Sequence, residues 1–362
     1  MTTGFPALSY PQAFPLIAYA LEQKKSVLLL GSPGNGKSSM ANALAQHLKL
    51  SALVDIRLSS TDPSELAGIA VPNRDTHTID IFIPDWLKQI RDTPCLLLLD
   101  EISTGVTRLH LSVCLQILLD RRLGTTVFHP ETRIMAAGNL LEDRSMVTDL
   151  PDALTDRCVK FILKTDADAW LDWAATATPP ICHEIRAFIA WKKEDALFHR
   201  YDGVIASPRS WTNAGQLTRA SEEMPTSVSL SKTQRQHLIA SCVGELAANE
   251  MMTFSDVCNS VDIAGLLLKG TLPKFQPEET ALVYAFVFAL VTHLENGKKY
   301  KDSTIFPHLA ALFASPAFAS EYQTLFLKHL SKQAPKRYQA MMGSSHFNQA
   351  FSRLGQQLSQ TF

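Results

Sequence analysis

Val27-Leu28-Leu29-Leu30-Gly31-Ser32-Pro33-Gly34-Asn35-Gly36-Lys37-Ser38 is the stretch whose reading decides the fold. A continuous apolar run that ends at a glycine suits a strand buried on both faces of a parallel sheet. After it, Ser38 to Leu48 sets Met40, Ala41, Leu44, Ala45 and Leu48 on one helical face. Between strand and helix lies Gly-x-x-x-x-Gly-Lys-Ser. Glycines there let the backbone turn tightly, so that successive N–H groups face an anion. The following helix points its positive end at the same place. Gly31, Pro33, Gly34, Asn35, Gly36, Lys37, Ser38 and Ser39 are therefore the expected nucleotide-binding set, with ATP and Mg²⁺ as the expected ligands. Lys37 would reach the β- and γ-phosphates, and the Ser38 hydroxyl would ligate the metal. A glycine-rich turn with a chance Lys-Ser is the plainer alternative, and the flanking strand and helix outweigh it.

Further along, Cys95-Leu96-Leu97-Leu98-Leu99-Asp100-Glu101 repeats the buried-strand pattern and ends in two carboxylates. The C-terminal ends of parallel strands are where α/β sheets bind ligands. Asp100 is read as the second Mg²⁺ residue and Glu101 as the group that polarises the attacking water. Arg133 to Asn139 is a further strand candidate, whose terminal Asn139 either reaches the γ-phosphate or caps a turn. Leu53 to Leu58 and Val159 to Leu163 are weaker strand candidates, the latter read as closing the sheet. Leu109 to Leu119 is helical, Asp62 to Leu66 is a capped helix start, and Ile69 to Ile83 is an inserted hairpin or loop. Strands separated by helices imply a doubly wound α/β layer.

After Lys164 the strand signals fade. Helical periods run over Trp170 to Ala177, Ile181 to Ala196, Arg209 to Ala220, His237 to Thr253 and Glu278 to Leu294. The polar stretch Glu222 to Ser231 reads as a linker. The expected organisation is an α/β nucleotide-binding domain over 1–165, an all-α lid over 166–225 and a further helical region over 226–362. The default for Val283 to Leu294 is a core helix, with a partner-docking face as its alternative.

With 46% hydrophobic and 19% charged residues, the chain is an ordinary folded one. Its formal net charge of −1 gives no global field for nucleic acid or anionic lipid. The run from Ala281 to Leu294 is too short to cross a bilayer. The N-terminus lacks the pattern of a signal peptide. Cys95, Cys114, Cys158, Cys182, Cys242 and Cys258 form no Cys-x-x-Cys pair and read as reduced thiols of a cytoplasmic protein.

Taken in order, the motifs resemble an AAA+ ATPase and, within that group, the MoxR family. The phosphate loop is followed by Asp62 to Gly68, Asp100-Glu101-Ile102, Asn139, Leu150 to Arg157, and Ser207-Pro208-Arg209-Ser210. The match covers roughly residues 8 to 220. By resemblance Lys37 and Ser38 are the Walker A pair, Asp100 and Glu101 the Walker B pair, and Asn139 is sensor 1. Arg157 corresponds to the arginine finger that enters a neighbouring subunit's site, and Arg209 to the sensor 2 of the lid. Ile69 to Ile83 corresponds to the helix-2 insert, and Leu123 to His129 to the hairpin before sensor 1. Asn35 stands where Thr is usual, and Ser103-Thr104 where Asn-Arg is frequent. The resemblance implies a hexameric ring, chaperone-like remodelling, and a partner with a von Willebrand factor A domain. A nucleotide switch with little turnover and a nucleic-acid motor are the competing classes. The near-neutral charge and lack of aromatic–basic interleaving weigh against the motor.

Overall fold

The computed structural model describes residues 4–140, 150–201, 204–223, 230–276, 279–295 and 300–347. The chain divides into two compact units, Met1–Thr165 and Asp166–Phe362. Unit 1 runs β1 (Ala7–Leu8), α1 (Tyr10–Glu22), β2 (Val27–Gly31), α2 (Lys37–His47), β3 (Ala52–Arg57), α3 (Pro63–Ala67), β4 (Ile69–Asn73), β5 (Thr78–Phe82) and α4 (Asp85–Asp92). It continues through β6 (Cys95–Asp100), α5 (Arg108–Asp120), β7 (Arg122–Leu123), β8 (Thr126–Val127), β9 (Arg133–Gly138), α6 (Asp152–Thr155) and β10 (Val159–Leu163).

Six of these strands form one parallel sheet in the order β1-β10-β2-β9-β6-β3. The uninterrupted apolar runs have a simple cause: neighbouring residues of one strand serve opposite cores. Leu28, Leu30, Leu97, Leu99, Ile134 and Ala136 join a cluster with Leu87 and Ile90 of α4 and Leu111 and Cys114 of α5. Val27, Leu29, Leu96, Leu98, Met135 and Ala137 join another with Ile17 and Leu21 of α1 and Met40 and Leu44 of α2. The alternation of side chains along a strand thus builds a three-layer sandwich. The fold is the α/β core with a parallel sheet that the sequence implies, followed by a largely helical region.

One local feature differs from expectation, and the insert takes one of the two forms expected for it. Strand β10 does not close the sheet, because β1 pairs outside it through Ala7–Ile162 and Leu8–Leu163. The insert is an antiparallel hairpin, β4 on β5, with Gly68 at its base. A side chain at Gly68 would meet the Phe82 carbonyl at 2.5 Å, and its φ of +91° is one that only glycine adopts cheaply.

Unit 2 comprises α7 (Ala167–Ala174), α8 (His183–Lys192), α9 (Glu194–Leu197), β11 (His199–Tyr201), β12 (Val204–Ala206) and α10 (Pro208–Glu223). It continues through α11 (Lys232–Val243), α12 (Glu245–Asn259), α13 (Ile263–Lys269), α14 (Thr280–Glu295), α15 (Asp302–Ala314), α16 (Ser320–Gln333) and α17 (Pro335–Met342). The short antiparallel pair β11–β12 interrupts the helices. The helix expected over His237 to Thr253 is two helices. They break at Gly244, whose φ is +90° and where a Cβ would meet Val204 at 2.9 Å. The linker expected over Glu222 to Ser231 lies largely outside the described residues.

Helix α14 is the axis of this unit. Val283, Ala285, Phe286, Val287, Phe288, Ala289, Leu290, Val291 and Leu294 are all buried, and the helix packs on α8, α12 and α16. A helix apolar all round belongs in a core, so Val283 to Leu294 presents no docking face. One hydrophobic cluster runs from Ala167 to Phe347 and spans both regions into which the sequence divides this unit.

His329 of α16 lies in that core, 1% exposed, with its ring 4.5 Å from that of Phe288. Burial, then Arg186, pushes its pKa down to about 3. The unfolded chain protonates this imidazole below about 6.5. The unfolded state therefore binds the extra proton between those values, and stability falls as pH drops through that window. For one such group the loss between pH 7 and pH 5 is about 2 kcal/mol. We expect His329→Leu to shrink the acid-induced loss of stability by about that amount in urea titrations at pH 7 and 5. An identical loss in both proteins would refute the assignment.

Candidate functional site

Sheet order places the ends of β2, β9 and β6 side by side, so the residues that leave those strands share one edge. Gly31 ends β2 opposite Leu163 of β10, and a Cβ there would meet the Leu163 carbonyl at 2.7 Å. The loop then turns through Gly34 and Gly36, with φ of +80° and +89°. Gly36 caps the N-terminus of α2 in this left-handed conformation. Asn35 braces the loop: its Nδ2 donates to Leu163 O at 3.3 Å, and its Oδ1 accepts from the Thr165 hydroxyl at 3.0 Å. Position 35 therefore has a side-chain role that a reading confined to the loop backbone overlooks.

Lys37 is 8% exposed in the first turn of α2. Its ammonium donates to Gly31 O at 2.6 Å, Ser32 O at 3.1 Å and Asn139 Oδ1 at 3.1 Å. A buried cation at the positive end of a helix is unfavourably placed. Carbonyl and amide oxygens solvate the charge, and the helix N-terminus favours an anion beside it. Ser38 follows, and its hydroxyl donates to Asp100 Oδ2 at 2.8 Å. Ser39, on the next position, is exposed.

Asp100 ends β6 and is 8% exposed; its Oδ1 accepts from the Glu101 N–H at 2.8 Å. Glu101 has a φ of +59°, which is left-handed backbone that a residue with a Cβ adopts at a cost of about 1 kcal/mol or more. Its carboxylate accepts a hydrogen bond from the Ser59 hydroxyl. Across on β3, burial and then the Asp100 carboxylate push the Asp55 pKa up, with Arg57 opposing and Glu101 adding. Carboxylates gathered beside a serine hydroxyl are the donor set of a hard divalent cation, so Ser38 and Asp100 fit Mg²⁺.

Asn139 follows β9 and is fixed on every side. Its N–H donates to Ser103 Oγ at 2.8 Å, its Nδ2 donates to Thr104 Oγ1 at 3.2 Å, and its Oδ1 accepts from Lys37. The Ser103 hydroxyl donates to Asn139 O at 3.1 Å. The preceding Gly138 leaves space for this, since a Cβ there would lie 2.8 Å from Ser103 Oγ. Lys37, Ser38, Asp100, Glu101 and Asn139 thus form one hydrogen-bonded group. Ser59, Ser103 and Thr104 belong to it too, although no sequence pattern marks them.

The two arginines belong to other elements. Arg157 stands between α6 and β10, where its Nη1 donates back to Ala153 O at 3.0 Å. Among the described residues it bonds to no member of the group around Lys37. Arg209 belongs to unit 2 and is exposed in the first turn of α10. The Ser207 and Ser210 side chains cap that turn reciprocally.

Residues 27–165 match the model of the ATPase family associated with various cellular activities (AAA). That match covers most of unit 1, the phosphate loop included. A solved structure of a candidate ATPase from Cytophaga hutchinsonii is similar over 92% of this chain and 80% of that one, at 14% identity and a TM-score of 0.36. No curated protein matches the sequence.

Ser103 is 1% exposed and holds both backbone groups of Asn139. Ser103→Ala leaves that buried N–H unpaired, which costs about 1–3 kcal/mol. We expect urea denaturation of unit 1 to show a loss in this range, and Ser103→Thr, which keeps the hydroxyl, to lose less. Equal stability of Ser103→Ala and wild type would show that the bond contributes nothing.

Proposed function

We propose that this chain is an ATP-hydrolysing, MoxR-like ring ATPase that remodels or activates a partner protein in the cytoplasm. The observation that carries the reading is Glu101, held in strained backbone beside Asp100 at the edge that also presents Lys37 and Asn139. A domain that only bound nucleotide would have no need of a carboxylate kept in that conformation.

In this reading Lys37 and the loop N–H groups bind the triphosphate, and Ser38 and Asp100 hold Mg²⁺. The metal, when bound, neutralises charge on the phosphate oxygens. Glu101 orients the attacking water and accepts its proton, and Asn139 fixes the γ-phosphate while keeping Lys37 in place. Arg157 acts on the site of the next subunit in a hexameric ring, and Arg209 on the γ-phosphate bound by its own chain. Residues 166–225 then form the lid and 226–362 a helical extension.

Support for a protein partner comes from the β4–β5 hairpin, where Ile69 is 69% exposed, Ile79 68% and Phe82 66%. An apolar cluster of this kind on a projecting hairpin is suited to contact another polypeptide. The family resemblance makes a von Willebrand factor A domain protein the partner to test first.

The experiment is a pair of substitutions. We expect Glu101→Gln to lower kcat by about 100-fold or more while leaving ATP affinity within a few fold of wild type. Retained turnover would remove Glu101 from the mechanism. Arg157→Ala should also abolish hydrolysis, with activity restored in mixed rings with Glu101→Gln, because each subunit supplies what the other lacks. Assembled mixed rings without activity would exclude action in trans.

A further inference from the structure

Helices α7, α8, α10, α14 and α16 of unit 2 surround a cavity of about 250 Å³, bordered by Arg186, Arg219, Glu295, Lys332 and Gln333. That is room for about eight water molecules, so an occupant must be compact. Arg186 is 2% exposed, and its Nε has no hydrogen-bond partner among the described residues. Both polar atoms of the Gln333 amide, Nε2 and Oε1, are likewise buried and unpartnered. Arg219 and Lys332 add positive charge and Glu295 the opposing carboxylate; Lys332 is also paired with Asp172 at 2.8 Å.

A buried arginine that serves only the fold looks different. Arg337 of the same unit donates from Nη1 to Leu294 O and from Nη2 to Tyr300 O, each at 2.8 Å, and its Nε pairs with Asp302 at 3.0 Å. Every face of that guanidinium is used. Burying a guanidinium without such bonds is costly, and the cost is recovered when a bidentate oxyanion meets it. Burial pushes the Arg186 pKa down only to about 10, with Glu295 opposing the shift, so it stays charged at neutral pH. Positive potential in this region also reaches His183, held down to about 4 by burial and then by Arg186.

We infer that this cavity is a binding site for a compact oxyanion metabolite, a phosphate ester or a polycarboxylate, anchored by Arg186. The Gln333 amide orients it, and Glu295 accepts a hydrogen bond from a hydroxyl or amine on the same ligand. The site lies wholly within unit 2.

Because the phosphate loop also takes phosphate, the test uses the full chain carrying Lys37→Ala. Inorganic phosphate, pyrophosphate and citrate are titrated calorimetrically against chloride at matched ionic strength. We expect saturable one-to-one binding of at least one probe; preference for phosphate or for citrate assigns the ligand class. Adding Arg186→Met should weaken that binding at least about tenfold. It should also leave the anion-free protein folded with its melting temperature little changed, since Arg186 Nε gives up no hydrogen bond. Failure of all three probes to saturate, or equal affinity in the Arg186→Met chain, would overturn the site. If Arg186→Met does not fold, Gln333→Leu replaces it, and unchanged affinity there overturns the site as well.

Discussion

The Lys37 ammonium is the constraint on which unit 1 is organised. It is buried, it sits at the positive end of α2, and it donates to oxygens of Gly31, Ser32 and Asn139. One of those oxygens belongs to Asn139, which lies 102 positions away in sequence. The contact requires β9 to lie beside β2, and the sheet order provides this by setting β9 between β2 and β6. The same order places Asp100 on the far side of Asn139, within reach of Ser38. Cation, amide, hydroxyl and carboxylate are therefore consequences of strand order as much as of residue type. The tight approach of Gly31 to Leu163 and the Asn35 brace hold the other flank of the loop. The loop is fixed on both sides before any ligand arrives, which reduces the ordering cost of binding.

What the sequence made legible follows from where the physics is local. The runs at Val27 to Gly31 and Cys95 to Asp100 announce themselves because two cores must be served by one strand. Gly-x-x-x-x-Gly-Lys-Ser announces the loop because left-handed turns and an anion cradle demand those residue types. Strand β1, two residues long, has no period to detect, and its pairing with β10 is a tertiary event. Gly244 looks like a tolerable glycine in a long helix until Val204 is seen to occupy the space beside it. Ser59, Ser103 and Thr104 are invisible in one dimension, since a hydroxyl gains meaning only from the partner brought to it. Ser103 lies 36 positions from Asn139, and no spacing rule joins them.

The two units handle buried polarity differently. In unit 1 the polar groups at the phosphate-loop edge are paired with one another. In unit 2 the core around α14 is apolar on all sides, and its buried polar groups are exceptions within it. Some are fully satisfied, as Arg337 is, and these tie α17 to the end of α14 and the segment after it. Others, Arg186 and Gln333, line a cavity with atoms unpaired. Desolvated polar groups without partners are rare in folded proteins because each is costly. His199 and His329 also bury an unpartnered nitrogen away from this space; what sets Arg186 and Gln333 apart is that both border one cavity large enough for a ligand.

Two local rules are broken at the proposed site, and left-handed backbone occurs also at Lys24, Lys49, His77, Arg121 and Lys193. Lys37 sets a cation against the positive end of a helix, and Glu101 takes backbone that its Cβ disfavours. Arg209 also stands in the first turn of a helix, where a cation is worth about 0.3–1 kcal/mol less than an anion would be. Capping by Ser207 and Ser210 shows that this helix start is otherwise well made, so the arginine is not part of a poorly formed terminus. Lys37 and Glu101 are exceptions that meet at one sheet edge, so dipole and dihedral mark the same loop and the same carboxylate as the motifs do.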